Sequence, residues 1–191
     1  MKEIDARKLE CPKPVLLVKD EADKGAESLR VCVDNETAAG NVTRFFESRG
    51  YAASREDKAE GIFITGIKSS DMPQDRKGKP TSAFLFLTDK LGAESDGLGE
   101  SLMKAFLGTI RKSSDLPAVI ALMNNGVKMA LPESSTSDTL KEIEEAGAKL
   151  LICGTCTKHF GITERIGIGT ISNMFEIYES VFGTDKPTVI G

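Results

Sequence analysis

Tryptophan is absent from this 191-residue chain, tyrosine occurs twice and histidine once. The lack of Trp and the scarcity of Tyr argue against the base-stacking platform that single-stranded nucleic acid binders use. The net charge is −4, from 25 basic and 29 acidic residues. No segment carries the basic excess that nucleic-acid binding needs. No apolar run approaches the roughly 20 residues of a membrane span. The N-terminus, Met1-Lys2-Glu3-Ile4-Asp5, carries charge where a secretory signal has its apolar stretch. These readings predict a soluble, cytoplasmic protein with neither a membrane nor a nucleic acid as partner. Four cysteines are too few to staple a chain of this length. In a reducing compartment they read as thiols, ligands or catalysts.

What is present is sulfur at two places. Cys11-Pro12-Lys13-Pro14 follows a short strand-like start, and Cys153-Gly154-Thr155-Cys156 follows the apolar run Leu150-Leu151-Ile152. Pro12 at the first helical position makes Cys11 the expected N-cap, with its sulfur near free amides that stabilise a thiolate. Pro14 is tolerated because it is still inside the first turn.

Polarity and turn residues divide the chain. Residues 69–82 are polar, lack periodicity and contain Pro73, Gly78 and Pro80; they predict a linker between a domain at 1–68 and another at 83–191. A flexible coil of this length spans roughly 20 Å on average. Before it, the pattern reads βαβαββ. A first strand holds Ile4 and Ala6, and a helix runs from Pro12 to Asp23. A strand at Leu29–Val33 precedes a helix capped by Asp34 and Asn35 and stopped by Gly50. A hairpin of Tyr51–Glu56 and Ile62–Ile67 closes around Asp57–Gly61. Two helices on one face of four strands make a small two-layer α+β sandwich. Alternation places Cys32 beside Arg30, on the sheet face away from Leu29, Val31 and Val33.

After the linker, strands alternate with helices. Strands are expected at 83–87, 118–122, 149–152, 166–168 and 187–190. Helices are expected at 98–111, 138–146, 155–160 and 173–182. This predicts a three-layer α/β domain on a parallel sheet, with ligands beyond the carboxyl ends of the strands. Cys153 lies at such an end. The glycines of Gly92–Glu100 suggest a phosphate cradle, but Glu94, Asp96 and Glu100 oppose an anion there. A loop over the Cys153 end of the sheet fits better. Gly167-Ile168-Gly169-Thr170 is expected to mark a strand-to-helix turn.

Cys153, Cys156 and His159 offer three ligands but no fourth, so no metal and no cofactor is expected. His159 reads as a helix-surface residue. The strand–helix setting of the CxxC suits a thioredoxin-like redox site, yet the other features of that fold are missing.

The segment Asp5-Ala6-Arg7-Lys8-Leu9-Glu10-Cys11-Pro12-Lys13-Pro14 resembles the signature of TusA-like (SirA-like) proteins. Val33-Asp34-Asn35-Glu36, Asn41-Val42 and Gly50-Tyr51 fit the same pattern. One departure is Lys8, where the family has glycine. The resemblance covers residues 2–68 and implies that Cys11 carries sulfur as a persulfide, loaded by a donor such as a cysteine desulfurase. Residues 82–191 are similar to DsrE-like sulfur-transfer domains, through Leu150–Cys153, the helical stretch to Gly161-Ile162, and Asn125-Gly126-Val127. That resemblance implies Cys153 in the active position, Cys156 as an addition that could resolve a persulfide, and a homo-oligomer. The domain order resembles YedF-type proteins and implies selenium or sulfur metabolism. The expectation is therefore a sulfurtransferase-like relay from a donor to a downstream sulfur or selenium acceptor through Cys11, Cys153 and Cys156. Two alternatives stay open at this point: a thiol–disulfide redox protein using Cys153 and Cys156, and a non-catalytic thiol-sensing adaptor.

Overall fold

The computed structural model describes residues 1–10, 12–69, 82–93 and 95–191. Cys11, Glu94 and all but the two ends of the expected linker lie outside them. The chain divides into two compact units, Met1–Lys77 and Gly78–Gly191.

In the first unit β1 (Lys2–Asp5) pairs in parallel with β2 (Ser28–Val33). β4 (Gly61–Lys68) joins β2 and β3 (Tyr51–Lys58) antiparallel, giving the order β1-β2-β4-β3. The hairpin strands run longer than expected, because the turn between them needs only Ala59 and Glu60. Helices α1 (Lys13–Asp23) and α2 (Glu36–Ser48) pack on one face. Alternation in β2 sends Leu29, Val31 and Val33 into the core, where Val18, Val42 and Phe46 meet them. Phe46 is fully buried over Gly66, where an added Cβ would lie 2.4 Å from the ring. Burying such a side chain is worth about 1.5–3 kcal/mol.

The second unit is a five-stranded, all-parallel sheet in the order β8-β7-β6-β5-β9. Its strands are β5 (Ser82–Phe86), β6 (Val119–Leu122), β7 (Lys149–Cys153), β8 (Thr170–Ser172) and β9 (Lys186–Ile190). Helices α3 (Leu98–Lys112) and α4 (Ser137–Glu145) pack together on one face. After β8 the chain reverses direction across the sheet. The connection carries α6 (Met174–Phe182), which packs against β5, β6, β7 and β9. The apolar run of β6 is buried throughout, as a strand covered on both sides requires.

The fourth strand of this unit lies at Thr170–Ser172, not at 166–168 as expected. Ile168 is buried without being in a strand, so its apolarity reflects packing alone. Gly169, at φ +73°, lets the chain pass against β7, where an added Cβ would lie 2.9 Å from Leu150. Gly167–Thr170 therefore leads into β8. The strand-to-helix turn is at Ser172-Asn173, where the Asn173 side chain caps α6 by accepting from the Glu176 amide.

Candidate functional site

Both cysteine sites stand at the beginning of a helix. In the first unit, α1 begins at Lys13 and its N-cap is Pro12, one residue later than expected. The amides expected to be free are taken. Lys13 donates to the Glu10 carbonyl (2.8 Å) and Val15 to the Pro12 carbonyl (3.0 Å), while the two prolines have no N–H. Beside this turn the start of α2 comes close. A depression of about 50 Å³ is lined by Leu9, Pro12, Val15, Asn35, Ala38 and Asn41, among others. Asn35 caps α2 by accepting from the Ala38 amide at 2.9 Å. Two helix N-termini therefore converge on the sequence neighbours of Cys11.

The loop leading to this turn is held at both ends. Asp5 accepts from Arg7 Nε (2.9 Å), Arg7 Nη2 (2.7 Å) and the Arg7 amide (3.1 Å). These bonds hold its carboxyl at about 2, well below the usual carboxylate range. Arg7 also donates to the Glu60 carbonyl at 3.1 Å, which ties the loop to the β3–β4 turn. Asp34, which the sequence offered as a second cap for α2, instead accepts the Lys8 amide at 2.7 Å. That bond and the Asn35 side chain lower its carboxyl. Lys8 has φ +61°, the conformation glycine adopts without cost. This is the physical reason for glycine in the resembling family at the position where this chain has lysine. Cys32 lies on the sheet face away from the helices, as alternation predicts. It is nevertheless buried under Gly61 and Arg7, and burial pushes its thiol up.

In the second unit, β7 ends at Cys153 and α5 (Gly154–His159) follows at once. The two thiols differ in setting. Cys153 is 2% exposed, whereas Cys156 is only partly buried. Burial, and then a hydrogen bond to Cys156, push the Cys153 thiol up to about 12. Both sulfurs are free thiols.

A residue that the sequence reading passed over completes this site. After β6, Asn124–Ala130 forms a 3₁₀ segment against α5. Its first residue, Asn124, has φ +48° and donates its backbone amide to Cys156 Sγ at 3.2 Å. Asparagine is among the few residues that tolerate this backbone region. Gly126 fixes the segment: an added Cβ would lie 2.5 Å from the Phe86 carbonyl oxygen at the end of β5. The Asn124-Asn125-Gly126 run was the available signal, as turn chemistry directly after a strand. Lys128 lies over the Phe160 ring at 4.5 Å and donates to Asn125 Oδ1 at 2.8 Å. His159 is exposed, with its ring against Phe160. Among the described residues, no three His, Cys, Asp or Glu side chains are placed to hold a metal ion. The loop after β5 emerges at the same end of the sheet as Cys153. There the first turn of α3 presents Glu100, which accepts from Ser135. No helix among the described residues is long and apolar enough to cross a membrane.

Comparison with known proteins adds the following. A family model described as sulfurtransferase TusA matches residues 2–68. Among solved structures, the chain is similar to a SirA-like protein from Desulfitobacterium hafniense. The identity is 31%, over 35% of this chain and 96% of that chain, with a TM-score of 0.33. Comparison with curated proteins finds no match.

Proposed function

The chain belongs to the TusA sulfurtransferase family through residues 2–68, and on that premise we propose that it is a relay protein carrying sulfur, or selenium, on cysteine. The observation that carries this reading is the family match over the segment holding Cys11-Pro12-Lys13-Pro14, whose flanks meet at two helix N-termini. In the first step the Cys11 thiolate attacks the outer sulfur of a donor persulfide. The Cys11 Sγ–S bond forms, the donor S–S bond breaks, and the donor leaves as thiolate. The sulfane sulfur moves without net oxidation or reduction. A cysteine desulfurase is the donor class. Asp5 clamps Arg7 and Asp34 holds the Lys8 amide in the loop that precedes Cys11 in sequence.

Residues 83–191 act as the second station, a DsrE-like domain whose Cys153–Cys156 pair receives or delivers the same atom before a sulfur or selenium acceptor takes it. The support is the position of the pair at the carboxyl end of a parallel strand. The experiment is intact-protein mass spectrometry after incubation with a cysteine desulfurase and cysteine. A reducible gain of one sulfur that is lost in Cys11→Ser supports the carrier reading. An unmodified protein, in which only a Cys153–Cys156 disulfide appears, overturns it. That second outcome favours a thiol–disulfide redox protein, for which two free thiols spaced three residues apart at the β7–α5 junction are the specific observation.

A further inference from the structure

We infer that Cys156, not Cys153, is the sulfur-accepting thiol of the second unit, and that Cys153 is its buried neighbour. The inference rests on the reading of the second unit as a sulfur-handling station and assigns the roles within it. Three observations carry it. First, a donor persulfide must reach the attacking sulfur, and Cys156 is partly exposed while Cys153 is 2% exposed. Second, the Asn124 amide donates to Cys156 Sγ at 3.2 Å, from a left-handed backbone conformation that asparagine tolerates. Third, the Asn124 segment is locked by the contact of Gly126 with the Phe86 carbonyl, so the amide stays aimed.

The chemistry follows from the geometry. The Cys156 thiolate attacks the outer sulfur of a carrier persulfide; the Cys156 Sγ–S bond forms, the carrier S–S bond breaks and the carrier leaves as thiolate, without net oxidation or reduction. Negative charge on the accepted sulfur pair faces the fixed N–H donor from Asn124, and such charge-assisted bonds are the stronger kind. Burial keeps the neighbouring Cys153 thiol protonated and poorly nucleophilic.

The test uses the full chain in a Cys11→Ser background, inorganic polysulfide as sulfur source, iodoacetamide as trap and tandem mass spectrometry of the peptide 150–158. With Cys153→Ser, the trapped persulfide is expected on Cys156 at near the parent level. With Cys156→Ser, the yield on Cys153 is expected to fall by about tenfold or more, as for an inaccessible thiol. Cys153→Ala should likewise retain Cys156 as the site of loading. Competitive alkylation of the unsubstituted protein needs no variant to fold and should label Cys156 first. Persulfide on Cys153 in Cys156→Ser at the parent level, with none on Cys156 in Cys153→Ser, overturns the assignment and leaves the relay reading intact. No sulfur on either residue overturns both.

Discussion

The Lys8 amide donates to the Asp34 carboxylate at 2.7 Å, from a backbone at φ +61°. The bond joins the loop before Cys11 to the residue before the α2 cap, so the two helix starts are positioned together. It also separates two costs that substitution can measure: backbone strain at Lys8 and the charge on Asp34.

Lys8→Gly removes the strain and keeps the amide. It should stabilise the protein by about 0.5–1 kcal/mol, after allowing for the greater freedom of glycine in the unfolded chain. Asp34→Asn should destabilise at neutral pH by only roughly a few tenths of a kcal/mol, because the carboxylate is exposed and screened by solvent. The carboxyl is lowered in the folded state, so its contribution is present above the usual carboxylate range and is lost as pH falls through the lower folded value. The gap between wild type and Asp34→Asn should therefore close on acidification. Chemical denaturation across pH checks both expectations.

The small sandwich was legible because its core follows simple periods: 2 in β2 and 3.6 in α1 and α2. The second unit was legible as alternating strands and helices, but the strand at Thr170–Ser172 has three residues and no period to read. The apolar Ile166 and Ile168 drew the expectation toward themselves, since burial outside a sheet leaves the same trace. Position of the thiols was legible and their exposure was not. Cys153 and Cys156 are alike in sequence, and only the β7 register and the 3₁₀ segment after β6 make one buried and the other reachable. Free amides at α1 were also misread, because a carbonyl from Glu10 can cap a helix without leaving a side-chain signature.

Gly126→Ala places a Cβ 2.5 Å from the Phe86 carbonyl oxygen, so the 3₁₀ segment must shift. It should cost about 1–3 kcal/mol, as overpacking against rigid neighbours does. The shift should also move the Asn124 amide away from Cys156. Polysulfide loading on the peptide 150–158 should slow, while desulfurase-dependent loading of Cys11 stays at the wild-type rate.

The Cys153 thiol is pushed up to about 12 by burial first and by Cys156 second. In Cys156→Ser the burial remains, so the thiol stays protonated near neutrality. Its alkylation should be very slow at pH 7 and rise about tenfold per pH unit up to alkaline pH, with no plateau below pH 9. Stopped-flow or quenched alkylation of that variant between pH 6 and pH 9 provides the check.

The central claim is that the atom enters at Cys11 and moves on to the second unit. Its most direct test is a time course with a cysteine desulfurase and sulfur-labelled cysteine, quenched with iodoacetamide and resolved by peptide. The account predicts label first on the peptide carrying Cys11, then on the peptide 150–158, and on neither in Cys11→Ser. Label reaching the peptide 150–158 in Cys11→Ser at the wild-type rate would contradict it.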